Sequence, residues 1–66
     1  MTANINGESR AVPDGSTIAN LLESFGLPAK SVLVERNGEA VGRDDFGRER
    51  IQPDDRIEII NMVAGG

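Results

Sequence analysis

The sequence predicts an α+β fold, a mixed sheet of four to five strands with one main helix packed across one face. Three observations lead to this prediction. Two Asn-Gly pairs each lie between extended runs, one segment carries apolar residues at helical spacing, and the longest apolar strand comes last in the chain. A single helix between two strand regions is typical of a sheet that has a helix on one face.

The first predicted element is a β-hairpin. Apolar residues alternate with polar ones from Ala3 to Ile5, Asn6-Gly7 follows, and the chain then returns as far as Val12. An Asn-Gly pair favours a type I′ turn, because both central residues of that turn need positive φ. We therefore predict strand, tight turn, strand.

The next predicted element is a helix of about two turns. Ser16-Thr17 offers hydroxyl groups for an N-cap, Gly26 suits the left-handed position after the last turn, and Pro28 does not continue a helix. Four apolar residues fall at i, i+3, i+4 and i+7 on one face: Ile18, Leu21, Leu22 and Phe25. A helix this short needs to pack that stripe on the sheet.

The second half of the chain predicts three strands, with a second Asn-Gly turn at Asn37-Gly38. Between the last two strands, residues 42–52 carry many charges and predict an irregular connection held by Phe46 and Ile51. The predicted strands span residues 32–35, 39–41 and 57–63. The expected core comprises Ala3, Ile5, Val12, Ile18, Leu21, Leu22, Phe25, Val32, Val34, Ile51, Ile57 and Ile59.

Composition argues against several classes of function. The chain has 66 residues, no His and no Cys, and 11 acidic against 7 basic side chains, for a net charge of −4. Without His or Cys there is no general base of near-neutral pKa and no thiolate nucleophile. The acidic balance and the scarcity of aromatic residues argue against nucleic-acid binding, and no apolar run approaches the length of a membrane span. We expect a soluble, intracellular protein that is not a free-standing enzyme.

The acidic pairs Asp44-Asp45 and Asp54-Asp55 are interpreted as solvated turns, because their spacing does not match a calcium loop. We expect no metal site and no bound cofactor. The chain ends in Val63-Ala64-Gly65-Gly66, directly after its strongest strand. Termini usually fray, and glycine is costly to order. The sequence thus predicts a single domain over residues 1–66 with a flexible Gly-Gly tail at residues 63–66.

Over essentially its whole length the chain resembles the ThiS family, ubiquitin-like β-grasp sulfur carriers of thiazole formation in thiamine biosynthesis. Three positions depart from the family pattern: Asp54-Asp55 replaces a Gly-Asp turn, Arg36 stands at a commonly apolar position, and Phe46 stands where the family commonly has Trp. The matching segments are Asn6-Gly7, Thr17–Leu22, Asn37-Gly38, Val41–Arg43, Ile57–Ile59 and Val63–Gly66.

The resemblance implies a protein cosubstrate rather than an enzyme. A ThiF-like adenylating enzyme would use ATP to activate the terminal carboxylate of Gly66, and a sulfur donor (a desulfurase or similar) would convert it to a thiocarboxylate. A ThiG-like thiazole synthase would then take the sulfur. Val63, Ala64 and Gly65 would enter the partner active sites, and the resemblance implies a cytoplasmic location.

Docking and function each leave alternatives open. Leu33, Ile60 and Met62 alternate away from the predicted core, so they are candidates for a partner-docking face. Alternatively, Phe46 and its connection fold over these residues as a small satellite cluster. Three alternative interpretations of the function stay open. The chain could be the small, MoaD-like subunit of molybdopterin synthase, a conjugated ubiquitin-like modifier, or a plain interaction module whose Gly-Gly end is incidental.

Overall fold

The computed structural model describes residues 1–62, whose backbone forms five strands and one α-helix in the predicted order. The end of the last predicted strand, at residue 63, and the predicted tail at residues 63–66 lie outside the described residues. The elements are β1 (Thr2–Ile5), β2 (Glu8–Ala11), α1 (Ile18–Ser24), β3 (Val32–Arg36), β4 (Glu39–Val41) and β5 (Arg56–Asn61).

The strands form one mixed sheet in the order β2-β1-β5-β3-β4. The β1–β2, β3–β4 and β3–β5 pairs are antiparallel, whereas β1 and β5 run parallel with Ile5 opposite Ile57. β5 is the last strand of residues 1–62 and the central strand of the sheet, so it joins the two hairpins. The predicted fold class is confirmed.

Both Asn-Gly pairs adopt the predicted turn geometry. Asn6 and Gly7 have φ of 51° and 86°, and Asn37 and Gly38 have φ of 53° and 85°. These positive values are those that a type I′ turn requires. Asp54 also has positive φ, 67°, so an aspartate occupies the left-handed position in the turn before β5.

Asn6 links the first turn to the central strand. Its backbone N–H donates to the carbonyl of Ile57 at 2.9 Å, and its side-chain Oδ1 accepts from the N–H of Ile59 at 2.7 Å. The side chain therefore supplies a hydrogen bond to β5 at the point where β1 has ended and its backbone has turned away.

The helix is capped by one of the two predicted hydroxyl residues, and the predicted glycine follows its C-cap. Thr17 is the N-cap: its Oγ1 accepts from the N–H of Asn20 at 3.1 Å, and Asn20 Oδ1 accepts from the N–H of Thr17 at 2.9 Å. This reciprocal pair is a capping box. Phe25 is the C-cap, and Gly26 follows with φ of 70°.

The buried core matches the expected one with one exception and one addition. Phe25 was expected in the core and is 37% exposed, whereas Phe46 is 3% exposed and packs in the core. The helical stripe fails at Phe25 because this residue is the C-cap, beyond the last buried turn, where its ring lies 5.3 Å from the guanidinium of Arg10. The core residues are Ala3, Ile5, Val12, Ile18, Leu21, Leu22, Val32, Val34, Phe46, Ile51, Ile57 and Ile59.

Phe46 joins the helix-side core because its connection is hydrogen-bonded to the start of the helix. The carbonyl of Phe46 accepts from the N–H of Ala19 at 2.9 Å, and Ile51 donates to the carbonyl of Ser16 at 2.9 Å. The alternative in which Phe46 covers Leu33, Ile60 and Met62 is therefore wrong. The two residues predicted to hold the connection are both buried, as expected.

The unusual Arg36 has a structural role at the end of β3. Its guanidinium lies 3.2 Å from a carboxylate oxygen of Glu49 and donates to the carbonyl of Arg50 at 3.0 Å. The buried carboxylate of Asp55 lies 3.9 Å from Arg36 and accepts from Asn37 Nδ2 at 3.0 Å. Arg36 thus ties the long connection to the sheet, which an apolar residue would not do.

Arg43 secures the other end of this connection. Its Nε donates to the carbonyl of Ala29 at 3.1 Å, and its Nη2 donates to the carbonyl of Lys30 at 3.1 Å. The segment after β4 is thereby joined to the turn that leads from the helix into β3.

The two phenylalanines provide a matched test of the core. We expect Phe46→Ala to lower the free energy of unfolding by about 3–5 kcal/mol, as for a fully buried aromatic side chain. Phe25→Ala should lower the free energy of unfolding by less than about 1 kcal/mol, because the main contact that it removes is the exposed one with Arg10. Urea unfolding of both variants measures the difference, and equal losses would contradict the packing described.

Candidate functional site

The face of the sheet opposite the helix carries an apolar patch near the end of the described chain. Leu33, Ile60 and Met62 are 51%, 48% and 45% exposed. Leu33 and Ile60 lie directly opposite each other on β3 and β5, so their side chains share this face. The structure therefore brings the three predicted docking residues together and leaves them uncovered by residues 1–62.

The patch leads towards the tail. The N–H of Met62 donates to the carbonyl of Ser31 at 2.8 Å, which extends the pairing of β5 with the start of β3. Ile60 and Met62 are two residues apart along the chain, a distance of about 7 Å in an extended strand. Met62 directly precedes Val63 in the sequence. A partner that covers the patch is thus placed beside the point where the tail begins.

An acidic pair lies on the same face at the other side of the patch. Glu35 and Glu58 are directly opposite each other on β3 and β5, each two residues from the Leu33–Ile60 pair. Arg56 precedes Glu58 by two residues, and these three charged residues and Gly38 line a shallow depression of about 210 Å³. The sequence does not reveal that Glu35 and Glu58 are opposite each other, because their opposition depends on the register of two strands that are not consecutive in the chain.

The other predicted site residues, Val63, Ala64, Gly65 and Gly66, lie outside the described residues. Within residues 1–62, no group of three or more His, Cys, Asp and Glu side chains is arranged to hold a metal ion. In the same part of the chain, no helix is long and apolar enough to cross a membrane.

A mixed five-stranded sheet with one short helix across one face defines a ubiquitin-like β-grasp protein. A family model described as the ThiS family matches residues 3–66. The chain belongs to the ThiS family.

Individual relatives agree with this assignment. The sulfur carrier protein ThiS of Bacillus subtilis is 42% identical over 53 residues, which are 80% of this chain and 80% of that protein. The crystal structure of a thiamine biosynthesis protein (ThiS) from Geobacter metallireducens superposes with a TM-score of 0.84 at 28% identity, and the match covers all of both chains.

A thiazole synthase of Magnetococcus marinus is 36% identical over 66 residues, which are all of this chain and 20% of that protein. A thiazole synthase of Paramagnetospirillum magneticum is 34% identical over 62 residues, 19% of its length. The chain therefore spans about a fifth of the length of these two relatives.

Neighbouring isoleucines of β5 test whether the patch contributes to folding. We expect Ile60→Ala to change the free energy of unfolding by less than about 0.5 kcal/mol, since its side chain is half exposed. Ile59→Ala, on the buried face, should cost about 2 kcal/mol or more. Chemical denaturation of both variants measures the difference, and a large loss for Ile60→Ala would mean that the patch is structural.

Proposed function

We propose that the protein is a sulfur carrier of thiamine biosynthesis that carries sulfur as a thiocarboxylate on Gly66. The observation that carries the proposal is the family match over residues 3–66, because it includes the Val-Ala-Gly-Gly end as well as the folded part. The Bacillus subtilis relative, named as a sulfur carrier, supports the same function.

The proposed chemistry takes place on the backbone. A terminal carboxylate is ionised at neutral pH and is a poor electrophile. A ThiF-like adenylating enzyme joins one carboxylate oxygen of Gly66 to the α-phosphorus of ATP, and pyrophosphate leaves. A sulfide-level sulfur nucleophile from the donor then attacks the acyl carbon, AMP leaves with the electron pair of its bond to that carbon, and a thiocarboxylate remains. Where the donor offers a persulfide, the acyl disulfide formed first is reduced by a thiol, which cleaves its S–S bond and leaves the same thiocarboxylate. The chain acts as a cosubstrate, and the catalytic side chains belong to its partners.

The composition of the tail suits this role. Val63 to Gly66 spans at most about 13 Å when extended, enough to cross the wall of a partner's active site. Gly65 and Gly66 have no side chains, so the backbone can enter a narrow channel and adopt a wide range of φ. Ala64 is nearly as slim.

A ThiG-like thiazole synthase is the proposed acceptor of the sulfur. Support comes from the two relatives named as thiazole synthases, in which the region similar to this chain makes up about a fifth of a longer protein. The family match likewise favours the thiamine pathway over the molybdopterin pathway.

We propose that partners dock on the apolar patch of Leu33, Ile60 and Met62. The patch is exposed, it lies on the face that the helix leaves free, and it adjoins the start of the tail. Exposed apolar patches of this kind commonly mark protein interfaces. Docking there brings the tail to the partner's active site without disturbing the core.

The direct test is sulfur loading. The chain is incubated with the adenylating enzyme, ATP and a sulfur donor, and its intact mass is measured for exchange of one terminal oxygen by sulfur. The loaded chain is then given to thiazole synthase, and consumption of the thiocarboxylate is followed. A chain that is never loaded, or whose sulfur the synthase does not take, would overturn the proposal.

Extension of the chain tests the role of Gly66. One residue added after Gly66 should abolish thiocarboxylate formation, because the carboxylate is displaced from the activating site. The control carries a longer extension with a protease site that restores Gly66 as the last residue, and cleavage should recover loading. Normal loading of the uncleaved variant would exclude Gly66 as the activated residue.

Substitution of the patch tests docking. The double variant Leu33→Ser, Ile60→Ser should raise the KM for the carrier in adenylation by about tenfold, with little change in kcat, since the loss is of binding energy alone. Phe25→Ser removes a comparably exposed apolar side chain on the helix side and should leave KM unchanged. Equal effects in the two variants would mean that the patch is not the docking face.

A further inference from the structure

We propose that Glu35 and Glu58 form the charged half of the docking face and receive an arginine or lysine side chain of the adenylating partner. This inference rests on the proposed function, and it adds the chemistry that the partner must present. It follows from the placement of the two carboxylates on the sheet rather than from the overall charge of the chain.

The pair is unfavourable for folding. Like charges directly opposite each other on neighbouring strands destabilise a sheet, and Glu35 and Glu58 occupy such positions on β3 and β5. Arg36 is the next residue of β3, and its side chain lies on the other face of the sheet. It lies opposite Glu39 of β4, so the two facing residues there have opposite charges. Folding therefore gives no reason for two glutamates at this place, whereas binding does.

The carboxylates are also left without a cation by the residues described. Of the ion pairs within residues 1–62, none includes Glu35 or Glu58. Arg56 lines the same depression, but none of the ion pairs within residues 1–62 joins it to either carboxylate. The two glutamates remain available for a charge from outside the described chain.

A partner that docks on the patch has to bring a positive charge of its own. Glu35 and Glu58 are each two residues, or about 7 Å, from the Leu33–Ile60 pair. A protein surface that covers this pair therefore also removes water from the carboxylates. Desolvating an unpaired charge is costly, and desolvating two like charges is more so. Only a partner that brings its own cation recovers this cost.

The geometry further defines the complementary surface. Glu58 and Ile60 lie in β5, Met62 follows the end of that strand, and the tail comes next in the sequence, so of these residues the acidic one lies farthest from the reacting end. The partner should present its basic group about 7 Å beyond an apolar contact, on the side away from its active site. An arginine fits best, because its planar guanidinium can donate to both carboxylates at once.

Binding measurements on matched variants test the inference. The affinity of the full chain for the ThiF-like adenylating enzyme of the same organism is measured by calorimetry at several salt concentrations. Glu35→Gln with Glu58→Gln should weaken binding about tenfold at low salt and flatten the salt dependence. The control, Glu23→Gln with Asp44→Asn, changes net charge equally at exposed sites with no ion pair in the described chain.

A folding measurement excludes a structural explanation. The thermal midpoint of the Glu35→Gln, Glu58→Gln variant should equal or exceed that of the unchanged chain, because the repulsion is removed. Glu58→Lys should raise the midpoint as well, by pairing with Glu35, and should weaken binding more than Glu58→Gln. Lower stability together with weaker binding would overturn the inference.

The remaining outcomes separate this inference from the proposed function. If the unchanged chain binds the enzyme and is loaded with sulfur but the glutamine variant binds equally well, the inference fails and the function stands. If the control variant loses as much affinity, net charge rather than this pair is responsible, and the inference also fails. If the unchanged chain neither binds nor is loaded, both fail.

Discussion

The pairing of β5 with both β1 and β3 is the interaction on which the rest of the structure depends. It places Ile57 and Ile59 in the centre of the core, and it joins two hairpins that, within residues 1–62, do not pair directly with each other. Asn6 strengthens this pairing through its side chain, with a hydrogen bond to a residue 53 positions away. The same pairing brings the last described residues to the middle of the sheet.

The two faces of the sheet differ in cover, and we propose that one serves stability and the other recognition. The helix and the connection through Phe46 and Ile51 cover one face, and they supply the buried area of a small domain whose sequence has no cysteine to form a disulfide. The other face has no such cover from residues 1–62, so Leu33 and Ile60 stay exposed there. Because the core does not bury Leu33 and Ile60, these two side chains are available for binding.

Much of the fold was predictable because its signals are local. The Asn-Gly turns, the Thr17 cap and the Gly26 end depend on backbone preferences of a few neighbouring residues. The two phenylalanines were not predictable in this way. Spacing places Phe25 on the apolar face of the helix, but whether a ring at the C-cap is buried depends on what packs beside that end of the helix. Phe46 is buried because the connection that contains it is hydrogen-bonded to the start of the helix.

The sequence by itself determined the element order, the turn types, most of the core and the family to which the chain belongs, since each is encoded in short motifs or in alternation along a strand. Only the tertiary structure decided which strand lies at the centre, which phenylalanine is buried, and that Glu35 faces Glu58 beside Leu33 and Ile60. The physical reason is that register between strands distant in the chain is set by the packing of the whole core. A pattern along one strand does not contain that information.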